Sequence, residues 1–240
     1  MPAATKAAAA AGDDEKGGPI NVSISGDHII AAYKLVRDDL ATMFQDNPNR
    51  RVEFVVGNTT DLTWENIGTH RYAGEWVRGA NPTEDLLPNH ALGAALESDG
   101  GGAGGALAFR CDFPKSMNPV GLTALLVLFG YCPKTASDRV EGQLFLVPTV
   151  AINTFVQGGD FDEFVKTWCD KLESLGGDDA TWSRQVSLNS KQSLKVVAAY
   201  SGGNDGFVAT TISITSRLVV RDLRRPRSRA ASLDRRAGRG

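Results

Sequence analysis

From Arg51 to Val219 the apolar residues of this chain fall largely at alternate positions, in short runs separated by Gly, Asn and Pro. A period of two is the repeat of a strand with one buried face, and turn residues at this frequency keep the strands short. Ile20–Ile24, Arg51–Val56, Thr63–Ile67, His70–Val77, Leu86–Leu96 and Gln143–Val147 read as extended. Ala106–Phe113 and Leu122–Tyr131 are apolar enough to be strands buried on both faces. Ser193–Tyr200 and Phe207–Val219 read as a closing hairpin across Ser201–Gly206, SGGNDG. Gly100–Gly105 lacks the Gly-Lys-Ser/Thr of a phosphate loop and reads as a flexible hairpin turn. Many short strands with regular turn signals predict a sandwich of two sheets.

Two segments break the period. Ile29, Tyr33, Val36, Leu40, Met43 and Phe44 recur at steps of three and four, which predicts a helix over Ser25–Phe44. They fall in one arc of roughly 100°, with Lys34, Arg37, Asp38, Asp39 and Thr42 outside it. Ser25 or Asp27 suits the N-cap, and Asn47-Pro48-Asn49 ends the segment. A second helix is predicted over Asp160–Leu175, capped by Asp160 and stopped by Gly176-Gly177. The fold class is therefore α+β, a β-sandwich flanked by two helices. One domain spans 20–219. The Ala-, Gly- and charge-rich residues 1–19 before it and the basic residues 220–240 after it are expected to be disordered.

Net charge is −2, so the whole chain has no global pull toward nucleic acid, and no nucleic-acid partner is expected. The charge is unevenly placed. Arg217–Gly240 holds nine Arg against Asp222 and Asp234, a net of +7, while the remainder carries 17 basic and 26 acidic residues. That tail reads as a solvated extension; contact with an anionic membrane or with nucleic acid is the alternative. Ser228 and Ser232 lie in it in basic context and suit phosphorylation. No run reaches the roughly 18 apolar residues of a spanning helix, and the N-terminus lacks a signal-peptide pattern.

Catalytic chemistry finds little support. His28, His70 and His90 are isolated, and Cys111, Cys132 and Cys169 form neither a metal motif nor an even disulfide set. Asp160, Asp162 and Glu163 lack the glycine and further ligands of a calcium loop. No cofactor or metal is implied, and the expectation is a non-enzyme. Asn21-Val22-Ser23 and Asn58-Thr59-Thr60 match the glycosylation pattern, which is common by chance.

Several motifs, taken in order, resemble the actinoporins, the sea-anemone pore-forming toxins. They are Arg50–Trp64 (RRVEFVVGNTTDLTW), Tyr72-Ala73-Gly74, Leu87-Pro88-Asn89-His90, Gly102–Phe109 (GAGGALAF), Leu125–Phe129 (LLVLF) and Trp182-Ser183-Arg184 with the closing hairpin. The resemblance covers about Ser25–Thr215. It implies a protein that binds phosphocholine lipids such as sphingomyelin, inserts its N-terminal helix and oligomerises on a target membrane into a cation-permeable pore. It places the inserting face on Ile29, Tyr33, Val36, Leu40, Met43 and Phe44. It places the headgroup contacts on Ala73, Gly130, Tyr131, Pro133, Phe164 and Trp168, the last two being equally suited to a core. Asp27–Phe44, 18 residues, would be about 27 Å long as a helix, close to a hydrocarbon core of about 30 Å. The same helix, read without the resemblance, simply covers an apolar surface. Lys134–Gly142 (KTASDRVEG) has none of the aromatic residues of the family's headgroup loop. A non-lytic lipid- or glycan-binding sandwich is therefore the alternative.

Overall fold

The computed structural model describes residues 20–24, 28–44, 50–118, 120–132, 139–149, 163, 167, 181–201 and 205–216. It is an α+β sandwich. Among the described residues, eleven strands fall into two sheets: β1 (Ile20–Ser23), β2 (Arg50–Asn58), β3 (Glu65–Ala73), β4 (Glu75–Trp76), β5 (His90–Ser98), β6 (Ala103–Asp112), β7 (Leu122–Cys132), β8 (Arg139–Pro148), β9 (Thr181–Ser187), β10 (Gln192–Ser201) and β11 (Asp205–Ser216). The larger sheet runs β1-β5-β2-β11-β10-β9, with β4 also on β5; the smaller runs β3-β6-β7-β8. The β2–β11 pair is parallel, in register from Arg51–Asp205 to Asn58–Ile212. The helix α1 (Ile29–Ala41) joins β1 to β2.

Strand alternation divides the apolar side chains between two clusters. Val52, Phe54 and Val56 of β2 and Leu92, Ala94 and Leu96 of β5 point between the sheets. They meet Leu107 and Phe109 of β6 and Ala124, Leu126 and Leu128 of β7. The intervening Val55, Ala91 and Ala95 point the other way, where Ile20, Val22, Ala32, Val36 and Leu40 cover them. Both faces of β2 and β5 are thus buried, which is why their sequences are nearly continuous in apolar residues. On the far side, Trp182 of β9 lies over β8; a Cβ on Gly142 would stand 2.8 Å from its ring.

The predicted helix is shorter than its apolar pattern. Helical geometry begins at Ile29, after His28 at the N-cap position with no side-chain cap bond. It stops at Ala41, where the Thr42 hydroxyl donates to the Asp39 carbonyl at 2.7 Å. Thr42 and Met43 follow as a turn, and Met43 and Phe44 still pack against the sheet. Thirteen residues give about 20 Å rather than 27.

Four strand assignments shift. Thr63–Ile67 and the first part of His70–Val77 merge into β3, which is bulged between Asn66 and Gly68 and again between Arg71 and Ala73, while Glu75–Trp76 cross to the larger sheet as β4. Leu86 belongs to an isolated bridge with Trp64, so β5 begins only at His90. Gly104 and Gly105 are strand residues of β6, not loop. A Cβ on Gly104 would lie 2.5 Å from the Tyr131 ring, and one on Gly105 equally close to the His70 carbonyl oxygen, so their small size serves packing. The strand β9, TWSRQVS, was not expected, because its polar composition carries no apolar alternation. Of the predicted second helix only Glu163 and Thr167 are described, both helical and exposed. Residues 1–19 and 217–240 lie outside the described residues.

Candidate functional site

The outer face of the larger sheet is a trough of small residues. Gly57 of β2 and Ala91, Gly93 and Ala95 of β5 line it. A Cβ on Gly93 would stand 2.5 Å from Val36 Cγ1, and one on Gly57 would stand 2.6 Å from the Tyr33 ring. The helix therefore lies as close as its backbone and side chains permit. Ala32, Val36 and Leu40 are fully buried there, with Ile29, Tyr33, Met43 and Phe44 packed beside them. Each fully buried aliphatic side chain contributes about 1.5–3 kcal/mol.

All six residues that the resemblance puts on the inserting face, Ile29, Tyr33, Val36, Leu40, Met43 and Phe44, thus lie against this sheet. The outward side is not purely polar, because Ile30 is 80% and Leu35 39% exposed. Among the described residues no helix is long and apolar enough to cross a membrane.

Polar contacts fasten the same interface. The Tyr33 hydroxyl donates to the Thr210 carbonyl and lies 2.9 Å from the Thr211 hydroxyl. Burial pushes the Tyr33 phenol up to about 12, against the lowering pull of the Thr211 hydroxyl and the Gly57 backbone. Arg37 Nε donates to Glu53 Oε2 at 3.1 Å, and Arg51 Nε stands 3.4 Å from Glu53 Oε1. Glu53 is only 3% exposed. Arg37 also lies over the Phe207 ring at 4.3 Å, and Arg51 over the Phe44 ring at 4.6 Å.

The headgroup residues are only partly together. In cross-strand register Ala73 pairs with Gly104, and Gly104 pairs with Tyr131, so Ala73 and Tyr131 share one row across the smaller sheet. Gly130 faces the other way: a Cβ there would lie 2.7 Å from Phe54, inside the inter-sheet core. Strand alternation makes this unavoidable for a residue next to Tyr131. Pro133, Phe164 and Trp168 lie outside the described residues.

The sequence reading left Tyr72 out of this group. Its ring meets Tyr131 edge-on, with centroids 5.5 Å apart and planes at 86°. The bulge between Arg71 and Ala73 hid that proximity, since simple alternation separates Tyr72 from Ala73. Glu53, Phe207 and the two trough glycines were also missed. A charge within the otherwise apolar Val52–Val56 run was the available signal for Glu53.

Other motifs take structural places. Asn58 is buried, and its side-chain amide donates to the Leu62 and Leu87 carbonyls at 2.7 and 2.9 Å, so it anchors a turn rather than a glycan. Cys111 and Cys132 are buried thiols; burial, helped by the Asp112 charge, pushes Cys111 up to about 12. Among the described residues no three His, Cys, Asp or Glu side chains gather as a metal site.

Fold and site together define a β-sandwich with a separate helix clasped to its outer face. Among solved structures, the chain is similar to the lipid-binding protein Nakanori, with 12% identity, coverage of 76% of this chain and 78% of that one, and a TM-score of 0.51. It is also similar to XCL, a lectin of Xerocomus chrysenteron, with 15% identity, coverage of 68% and 99%, and a TM-score of 0.33. At 12% identity the likeness to Nakanori is one of fold. No protein-family model and no curated protein matches the chain.

Proposed function

We propose that this chain is a membrane-lipid-binding protein of actinoporin type, which lifts its N-terminal helix from the sandwich and places it in a bilayer. One observation carries the reading: the inter-sheet core draws on no described residue before Val52. Every apolar contact of the helix belongs to the second cluster, so its departure leaves the sandwich filled. Ile30 and Leu35 are already turned outward, giving the segment more apolar surface than docking uses. A 13-residue helix lies in the interface rather than crossing the hydrocarbon. Assembly into a cation-permeable pore then requires residues outside it to become helical or several copies to line the lesion.

Phosphocholine lipids, sphingomyelin among them, are the proposed target. The Tyr72–Tyr131 pair offers aromatic faces to a quaternary ammonium. The inward turn of Gly130 and the loop without aromatic residues favour a second reading, a non-lytic lipid- or glycan-binding module. Neither reading involves catalysis. The proposed domain spans 20–219, with the Arg-rich tail as an accessory.

The test is a tether. Val36 Cγ1 reaches within 2.5 Å of the Cβ position on Gly93, so the two Cβ positions are roughly 4 Å apart at most, a span that a disulfide fits. The V36C/G93C chain, oxidised, is expected to leave dye-loaded vesicles of phosphatidylcholine and sphingomyelin intact and to leak them after reduction. Equal leakage from the locked form overturns helix release. Binding of the unaltered chain without leakage selects the non-lytic module. Sphingomyelin-free vesicles and a glycan array then identify its ligand.

A further inference from the structure

Among the described residues the chain divides into an arm and a body. The arm is β1 and α1 with the turn that follows, Ile20 to Phe44; the body begins at β2. The inter-sheet cluster draws on the body alone. The other cluster is the seam between the two. Ile20, Val22, Ala32, Val36 and Leu40 come to it from the arm, and Val55, Ala91 and Ala95 from the sheet. The covalent link between arm and body is 45–49, QDNPN.

Polar contacts cross the same seam. The strand β1 ends the larger sheet and ladders to β5, from Ile20–Gly93 to Ser23–His90. The Ile24 N–H donates to the Asn89 carbonyl at 2.6 Å. Arg37 of the arm meets Glu53 and Phe207 of the body, and Phe44 of the arm meets Arg51. Arm and body thus match in charge as well as in shape. The shape is exacting: Gly93 admits Val36 and Gly57 admits Tyr33 where an added Cβ would collide. Such a surface selects the segment that fits it, and every copy of the chain carries one.

Lifting the arm bares the trough and, beside it, the β5 edge at His90–Gly93. An open strand edge next to an apolar groove is a ready template for another chain. The arm of a second copy restores each lost contact in the same register.

We propose that the partner of this surface is a second copy of the chain, and that copies associate by exchanging arms. β1 and α1 of one molecule then occupy the β5 edge and the trough of the next. Exchange breaks and remakes identical contacts, so the closed and exchanged forms differ mainly in linker geometry and in the cost of association. Concentration therefore decides between them. The closed form prevails in dilute solution. Exchange sets in as copies crowd toward the effective concentration of a tethered arm, about millimolar for a short linker. Confinement on a bilayer produces such crowding. Reciprocal exchange gives a two-fold dimer, and exchange passed from copy to copy gives a ring.

This rests on the reading that the helix leaves the sheet, and its test needs no lipid. The V36C/G93C chain is either oxidised while dilute, which ties each arm to its own trough, or kept reduced. Both forms and the unaltered chain are concentrated, warmed, chilled and diluted, then sized by light scattering. The reduced and unaltered chains are expected to yield dimers or larger species that revert on warming at low concentration. The oxidised chain is expected to stay monomeric. A second measurement traps the exchange itself. Val36→Cys and Gly93→Cys chains of different mass are mixed, concentrated and oxidised. Mass spectrometry is expected to find position 36 of one chain joined to position 93 of the other. If Val36→Cys does not fold, Ser23→Cys with His90→Cys, register partners across β1 and β5, gives the same readout. Equal association of the oxidised chain, or no joined pair between chains, overturns arm exchange. An oxidised chain that spares vesicles, with no pair joined between chains, keeps helix release and rejects the exchange. Joined pairs in a chain inert toward every vesicle keep the exchange and reject the membrane reading.

Discussion

The two faces of β2 and β5 are built from the same strands yet packed by opposite means. Between the sheets, large side chains interlock: Trp64, Phe54, Phe109, Leu96, Leu107 and Leu126 are all fully buried. Under the helix the sheet offers mainly Gly and Ala, and the bulk comes from α1. Interlocked rings cannot separate without opening the core, since every neighbour loses its contacts at once. A smooth trough with a side-on rod can separate along one surface. The difference teaches that burial alone does not make a segment permanent; the shape of what it is buried against decides.

The largest effect that sharpens this contrast comes from the core. Phe109→Ala is expected to cost about 4 kcal/mol of global stability, within the range for deleting a buried ring. Helix and sandwich should unfold together, as one transition seen by circular dichroism and by tryptophan fluorescence. Leu40→Ala, fully buried in the second cluster, is expected to cost about 3 kcal/mol but to act locally. Hydrogen exchange should rise across 29–41 and stay slow in β6 and β7. A uniform rise across both regions would erase the distinction between the two clusters.

An intermediate effect comes from filling the trough. Gly93→Val drives side-chain atoms into Val36 and Ile20, whose nearest carbons already stand 2.5 and 3.3 Å from a Cβ there. Overpacking of this kind costs about 1–3 kcal/mol, and here the helix is the body able to move. Faster exchange in 29–41 with an unchanged sandwich is expected. Gly130→Ala makes a similar collision with Phe54 and Val208, yet between the sheets, where global stability should fall instead.

How much of this was legible beforehand follows the same division. The inward face of α1 could be read because Ile29, Tyr33, Val36 and Leu40 repeat at helical spacing. The sandwich could be read from alternation and turns. The strand β9 could not, because Thr181–Ser187 is mostly exposed and its place depends on pairing with β10 rather than on its own pattern. Nor could the inward turn of Gly130, since a glycine carries no sign of which face it occupies. The Glu53 clasp joins residues from α1, β2 and β11, and no spacing rule links three elements that meet only in the folded chain. The Tyr72–Tyr131 pair was half legible: each tyrosine stands near the end of its strand, but only the β3 bulge brings the rings together.

The smallest effect separates the two faces by their titration. Tyr33 on the helix face is raised from 10.0 to about 12, chiefly by burial. A group whose folded pKa lies above its unfolded value favours the protonated native state. Its stabilising contribution is complete below pH 10 and is lost as pH climbs toward 12, at about 1.4 kcal/mol per unit at most. Cys111, raised from 9.0 to about 12, has the same sign but sits between the sheets, so its loss bears on the whole sandwich. Tyr33→Phe removes the donor to the Thr210 carbonyl and is expected to cost about 1 kcal/mol of helix docking at neutral pH. It should also remove one tyrosinate from the alkaline absorbance titration. The difference between the unaltered and Tyr33→Phe curves isolates that one phenol, and its midpoint is expected near 12. In the Leu40→Ala background, where the helix lifts more readily, the midpoint should move toward 10 while the Cys111 thiol still resists titration. A midpoint that stays fixed in both backgrounds would mean that Tyr33 is held by the sheet and not by the docked helix.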